Sequence, residues 1–195
     1  MGAFKKGQAL FLYFMAYAVI GWIYEGFLEV VVYRWGFSNR GFLFGPYLPV
    51  YGFGAVIILL VLQSLKKERI AIGKINVTPI LVFLGIVALT TGLELLTSYI
   101  MEWTTGGWLW DYERFAWNFQ GRIALNPSIR FGIGGMFFLY CVQPLLEKAN
   151  GALTEKMRSL LSGSLFVLIC VDFFYHIWTA ESLRMIGKRI LFLIF

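Results

Sequence analysis

Long apolar stretches, separated by short basic or glycine- and aromatic-rich connections, set the pattern of this chain. A helix that crosses a hydrocarbon core needs about 20 mainly apolar residues at ~1.5 Å of rise each. Five stretches reach that length: Gly7–Tyr33, Tyr47–Leu65, Pro79–Met101, Leu125–Leu146 and Leu160–Thr179. The pattern predicts an all-α fold, a polytopic transmembrane helix bundle of about five spans that makes a single domain over residues 1–195. The last apolar piece, Met185–Phe195, is too short to span. Residues 180–195 therefore read as an interfacial tail, with Lys188 and Arg189 among the headgroups. The first stretch follows a lysine pair, as in a signal peptide. It is too long for one, carries Glu25 and Glu29, and reads as a retained helix.

Composition makes the membrane assignment firm. Of 195 residues, 59% are hydrophobic and 14% charged, against roughly 25% charged in a soluble domain. So few charges cannot coat that much apolar surface, and the excess must face lipid. Aromatic residues make up 18%, which suits lipid-facing Phe and interfacial Trp and Tyr. The net charge of +6 does not point to nucleic acid, because the basic residues cluster between spans and no nucleic-acid module accompanies them. Cys141 and Cys170 lie in apolar runs and read as small packing residues; neither a disulfide framework nor a zinc spacing is present.

Cytoplasmic loops of membrane proteins collect Lys and Arg. With the N-terminus inside, Lys5, Lys6, Lys66, Lys67, Arg69, Lys74, Lys148, Lys156 and Arg158 are inner. Arg34, Arg40, Arg114, Arg122 and Arg130 are outer, joined by three basic residues of the tail. The balance favours N-in/C-out. The inner connections are short and charged, whereas the outer ones, Trp35–Pro46 and Glu102–Ala124, are rich in Gly, Pro, Asn and aromatic residues. The second is longer than a connection requires, and long irregular loops often carry function.

Ionisable side chains inside apolar spans are costly, at least about 2.5–3.5 kcal/mol near the bilayer centre, and usually face a cavity or partner. Trp22, Glu25 and Glu29 share one face of the first helix, and Thr91, Glu94, Ser98 and Glu102 share a stripe of the third. Asp172 and His176 lie one turn apart on the fifth. Glu25 is about 28 Å along from Lys6, Glu94 about 22 Å from Pro79 and Asp172 about 21 Å from Arg158. With Arg130 near the start of the fourth helix, these residues gather in the outer half. Glu29 and Glu102 are expected to reach water, and Glu94 and Asp172 to be buried in a polar site. Arg130 is a candidate ion-pair strut for Glu94 or Asp172, and His176 suits a hydrogen bond. Trp108–Trp110 and Phe115–Trp117 read as interfacial belt.

Two runs carry a resemblance. One is Asn39-Arg40-Gly41-Phe42-Leu43-Phe44-Gly45-Pro46-Tyr47, continued by Tyr51-Gly52-Phe53-Gly54. The other is Glu94 with Thr97, Glu102, Trp110-Asp111-Tyr112, Asn118, Gly121-Arg122-Ile123, Leu125 and Ser128. Together with Trp22–Glu25, they resemble the ABC-transporter permease family called CmpB, or type IV, of small bacterial membrane proteins. The resemblance covers roughly residues 10 to 175. Glu113 departs from it, standing where Ser commonly follows Trp-Asp-Tyr, as does Arg130-Phe131-Gly132, where Trp usually precedes the Gly. It implies a bacterial inner-membrane location and a permease role.

As chemistry, the two runs suit an outer vestibule. Arg40 and Arg122 can clamp carboxylates such as Asp111, Glu102 or Glu25. Asn39 and Asn118 can hold loop backbone, and Pro46 and Pro79 fit helix starts. The leading expectation is a permease or other transport-related protein with an outward-facing polar cavity lined by Glu25, Glu94, Arg122, Arg130 and Asp172. An intramembrane enzyme acting on a lipid or envelope precursor, with Glu94 or Asp172 and His176 as acid and base, is a second reading. The lack of a nucleophile or metal motif weighs against it. A third is a structural or regulatory membrane subunit whose polar cluster locks helices together. No G-x-x-x-x-G-K-[ST] loop is present, so ATP hydrolysis would come from a separate ATPase subunit. The small size leaves room for a homodimer or another membrane subunit. The pattern calls for no cofactor, no metal and no nucleic-acid partner beyond the lipid bilayer itself.

Overall fold

A computed structural model describes residues 2–194 except Arg40, Phe42 and Leu109, without the side chains of 3, 104, 105 and 180–194. The fold is all-α. Helix α1 (Ala3–Phe27) runs into a π-helical turn at Leu28–Val32. Helix α2 (Pro49–Lys67) follows, then α3 (Thr78–Thr105), α4 (Leu125–Phe137) with a second π turn at Phe138–Val142, α5 (Gln143–Ala152) and α6 (Glu155–Ile194). Among the described residues, five helical segments are long and apolar enough to cross a membrane: Phe4–Val32, Pro49–Lys67, Thr78–Trp103, Leu125–Ala152 and Glu155–Thr179. Many of their large apolar side chains are exposed, among them Phe53, Leu60, Leu84, Ile133, Phe137, Val167 and Phe174, as lipid-facing positions require.

Local chemistry explains the ends. Pro79 sits in the first turn of α3, and Gly106 closes that helix in the left-handed conformation, donating to the Glu102 carbonyl. Pro46 does not start a helix; it lies in the preceding bend, and Pro49 begins α2. The connection Glu68–Val77 contains a two-residue antiparallel pair, Ala71–Ile72 with Ile75–Asn76. Thr78 ties it down by accepting from the Ile70 N–H at 2.8 Å and donating to the Glu68 carbonyl at 2.9 Å. The chain beyond residue 180 continues as α6 without a break, rather than forming an element of its own.

Contacts group the chain into two compact units, residues 1–53 with 149–195, and residues 54–148. In the first, α1 packs on α6, with the Phe11 and Phe166 rings edge to face at 5.9 Å. Ala18 is fully buried, and its carbonyl accepts the Leu48 N–H at 2.9 Å. Buried Arg158 donates to Oδ1 of Asn150 at 3.0 Å and to the Asn150 carbonyl at 2.7 Å, closing the turn between α5 and α6. Lys5 pairs with Glu155.

In the second unit α3 and α4 form the main interface. Thr91 donates to Ser128 at 2.8 Å. One turn along, Gly132 lies so close to α3 that a β-carbon there would meet Phe83 and Val87 at 2.6 Å. Small residues permit such backbone approach between membrane helices. Beside the second π turn, the Lys66 ammonium donates to the Leu139 carbonyl at 2.7 Å. Cys141, expected to pack, is exposed. Replacing Gly132 by Val should separate α3 from α4 and destabilise the protein by about 1–3 kcal/mol. Thermal unfolding in detergent measures this, and an unchanged midpoint would contradict the packing described.

Candidate functional site

The candidate residues fall into two sets, one in each unit, and each set fastens an irregular loop to a helix. In the first unit the loop is 34–48. Asp172 on α6 accepts the Phe44 N–H at 3.1 Å, the Gly45 N–H at 2.8 Å and the Tyr47 hydroxyl. Asn39 accepts the Trp22 indole N–H at 2.7 Å and donates to the Phe44 carbonyl at 2.9 Å. Glu25 accepts the Tyr51 hydroxyl. Glu29 is buried, contrary to the expectation that it reaches water. Its two oxygens take the Ser38 hydroxyl at 2.6 Å and the Ser38 N–H at 3.2 Å. The π turn carries Glu29, with the Tyr33 N–H bonded back to Leu28 at 2.8 Å. The His176 ring lies 5.3 Å from that of Phe44. Arg40 lies outside the described residues.

Burial and the neighbouring Asp172 carboxylate hold the Tyr47 phenol protonated above its ordinary value of 10.0. Asp172, expected to be buried, is only half-buried, and a carboxylate with three donors is a latch rather than a free base. The proposed acid–base use of Asp172 and His176 therefore loses its free carboxylate.

In the second unit the loop is 106–124. Arg122 is buried, with its guanidinium 3.9 Å from the Trp108 ring centre and 4.2 Å from that of Tyr99. It pairs with Glu102 and donates to Ser98 at 3.4 Å, while its own carbonyl accepts the Trp110 indole N–H at 2.8 Å. Glu102 is 45% exposed. Trp108 and Trp110 thus serve loop packing, whereas Trp117 is 83% exposed. Asn118 donates to the Phe115 carbonyl at 2.9 Å and accepts the Gly121 N–H at 3.1 Å. Asp111, exposed, caps the Glu113 N–H at 2.8 Å. Gly121 has φ +67, and a side chain there would strike Glu113 and Asp111.

Glu94 differs from the other acids. One oxygen accepts the Tyr112 hydroxyl at 2.7 Å; the other is enclosed with no hydrogen-bond partner among the described residues. Arg130 is exposed on α4 and makes no ion pair among the described residues, so it braces neither Glu94 nor Asp172. The tyrosines that hold Asp172, Glu25 and Glu94, and Ser38 on Glu29, are roles that sequence reasoning missed. The signal was available: an acid in an apolar helix needs a donor, and tyrosines border both loops.

A family model described as "Putative ABC-transporter type IV", the CmpB family, matches residues 12–177. The chain belongs to this family. It is a multi-pass membrane protein of an ABC-transporter family, and both latched loops of this CmpB protein lie inside the matched region. No curated protein and no solved structure matches it.

Replacing Asp172 by Asn should raise amide exchange at Phe44 and Gly45 and lower stability by about 1.5–3 kcal/mol. Because the folded value of Tyr47 lies above the unfolded one, its contribution is whole below about pH 10 and shrinks as pH rises further. Tyr47→Phe should therefore flatten the alkaline loss of stability; exchange rates and melting curves against pH test both. In the other unit, Arg122→Ala should cost about 3 kcal/mol or more, through lost stacking and hydrogen bonds. Glu102→Gln should cost less than about 1 kcal/mol, because that partner is nearly half exposed and Gln keeps an acceptor for Arg122. Equal melting points for the two variants would refute this division.

Proposed function

We propose that the chain is the membrane-spanning permease component of a bacterial inner-membrane transport system, N-terminus inside, working with a separate ATPase subunit. Membership of the ABC-transporter type IV family supports transport, and the five spans support a membrane component. The sequence carries no phosphate-binding P-loop, so the nucleotide chemistry falls to a partner.

The observation that carries the reading is Glu94. A carboxylate oxygen enclosed in a membrane-spanning helix without a donor must gain a proton, a cation or a solute group. The acids of the first unit have no such vacancy on the oxygens described, which supports a structural role for Glu25, Glu29 and Asp172. Transport chemistry is thereby assigned to Glu94 with Tyr112, and loop anchoring to the rest.

Tagged protein purified from its native membrane should carry vanadate-sensitive ATPase activity. Glu94→Gln should keep the complex and its melting point while lowering solute-stimulated hydrolysis by about tenfold or more. An absence of associated ATPase activity, or a Glu94→Gln complex as active as the parent, would sink the assignment.

A further inference from the structure

The connection Glu68–Val77 carries a hairpin with an uncovered apolar face. Ala71–Ile72 pairs with Ile75–Asn76, and Ile72 stands directly opposite Ile75, so the two side chains share one face. They are 73% and 68% exposed. Gly73 opens the two-residue turn with φ +63, as a tight hairpin requires. A hairpin this short is marginal by itself, but here its base is clamped. The Val77 N–H donates to the Ile70 carbonyl at 2.9 Å, and the Thr78 N–H donates to Asn76 Oδ1 at 3.1 Å. The buried Thr78 hydroxyl bridges the Ile70 N–H and the Glu68 carbonyl. The two isoleucines are therefore held in a fixed display.

Charge accompanies them. Lys67, Arg69 and Lys74 are exposed and make no ion pair among the described residues, and Glu68 is the one acid in the sequence of this connection. Helix length then sets the depth. The 19 residues of α2 span about 28 Å, against a hydrocarbon core of ~30 Å, so Lys67 at its end lies at the core boundary. The bond from Thr78 to the Glu68 carbonyl brings the start of α3 to the same level. Ile75 is three residues from Thr78, at most about 11 Å away even in a fully extended chain. The headgroup layer is about 5–8 Å deep on each face, so the isoleucines cannot stand far outside it.

A soluble partner would have to reach into the headgroups to cover this face. A lipid surface meets it in place, since apolar side chains in that layer gain by entering the acyl boundary. Three unpaired cations at the same level select the lipid, because basic residues beside a membrane are drawn to anionic headgroups. We propose that the 68–77 hairpin is a lipid-docking element, with Ile72 and Ile75 seated at the acyl boundary and Lys67, Arg69 and Lys74 on the phosphates of anionic phospholipids. Such docking fixes the α2–α3 turn at one depth and is independent of the transport reading above.

A bimane fluorophore on Ile75→Cys, in the full chain with Cys141→Ser and Cys170→Ser, reports the surroundings of the hairpin in nanodiscs of equimolar phosphatidylglycerol and phosphatidylcholine. Lipids brominated on their acyl chains should quench it, and aqueous acrylamide should not. Brominated phosphatidylglycerol should quench about fivefold more effectively than brominated phosphatidylcholine, the scale of one lysine at an anionic surface. Lys74→Gln, on the exposed turn, should lower that preference. Lys67→Gln, Arg69→Gln and Lys74→Gln together should abolish it at an unchanged melting point, and added salt should weaken it in the parent. Equal quenching by the two lipids in the parent, or quenching by acrylamide but not by brominated lipid, overturns the docking. So does a fluorophore open to acrylamide in nanodiscs and shielded only in a complex purified from native membranes, the mark of a protein partner.

Discussion

A carboxylate among apolar side chains must find donors, and in this protein the irregular loops supply them. Asp172 receives two backbone N–H groups and a tyrosine hydroxyl from the 34–48 loop. Glu29 receives Ser38 from the same loop, and Glu94 receives Tyr112 from the 106–124 loop. The acids therefore do more than tolerate the membrane environment. Asp172 and Glu29 fix loop backbone that would otherwise carry unsatisfied polar groups close to lipid, Glu94 holds its loop through a tyrosine side chain, and the loops in turn make the acids tolerable inside apolar helices.

The two units reach this end by the same chemical means with different parts. In each, a tyrosine hydroxyl meets a helix carboxylate, a tryptophan N–H donates to an acceptor in or beside the loop, and an asparagine organises the turn. The second unit adds a buried arginine stacked between Tyr99 and Trp108. Against this background Glu94 and Arg130 are informative because they are incompletely used. Among the described residues, one keeps an enclosed oxygen without a donor; the other keeps its charge on the first turns of α4 without an acid. Unused polar capacity inside a membrane span is where solute chemistry is most economically sought.

The helices and the membrane assignment were legible in the sequence because both follow from run length and apolar content, which are local. So were the family and the motif-rich loops. The asparagines were correctly read as loop holders, since Asn39 and Asn118 sit among turn residues where a side-chain amide is needed. Glu102 was named among the acids Arg122 could clamp. The fate of Glu29 was not legible: its position near a span end suggested water, but a π turn and the returning Ser38 bury it. Arg130 was expected to brace an acid because it shares their depth, yet depth does not say which way a helix face turns.

What the sequence by itself determined was therefore everything set by length, polarity and turn chemistry: five spans, their connections, and which residues are too polar for their surroundings. What only the tertiary structure decided was pairing. Which donor meets which carboxylate depends on helix rotation, on the one-residue shift of a π turn and on the path of a returning loop. None of these is encoded in spacing along one helix. Tyr47 and Asp172 are 125 residues apart, and only the packed fold brings a hydroxyl to that oxygen.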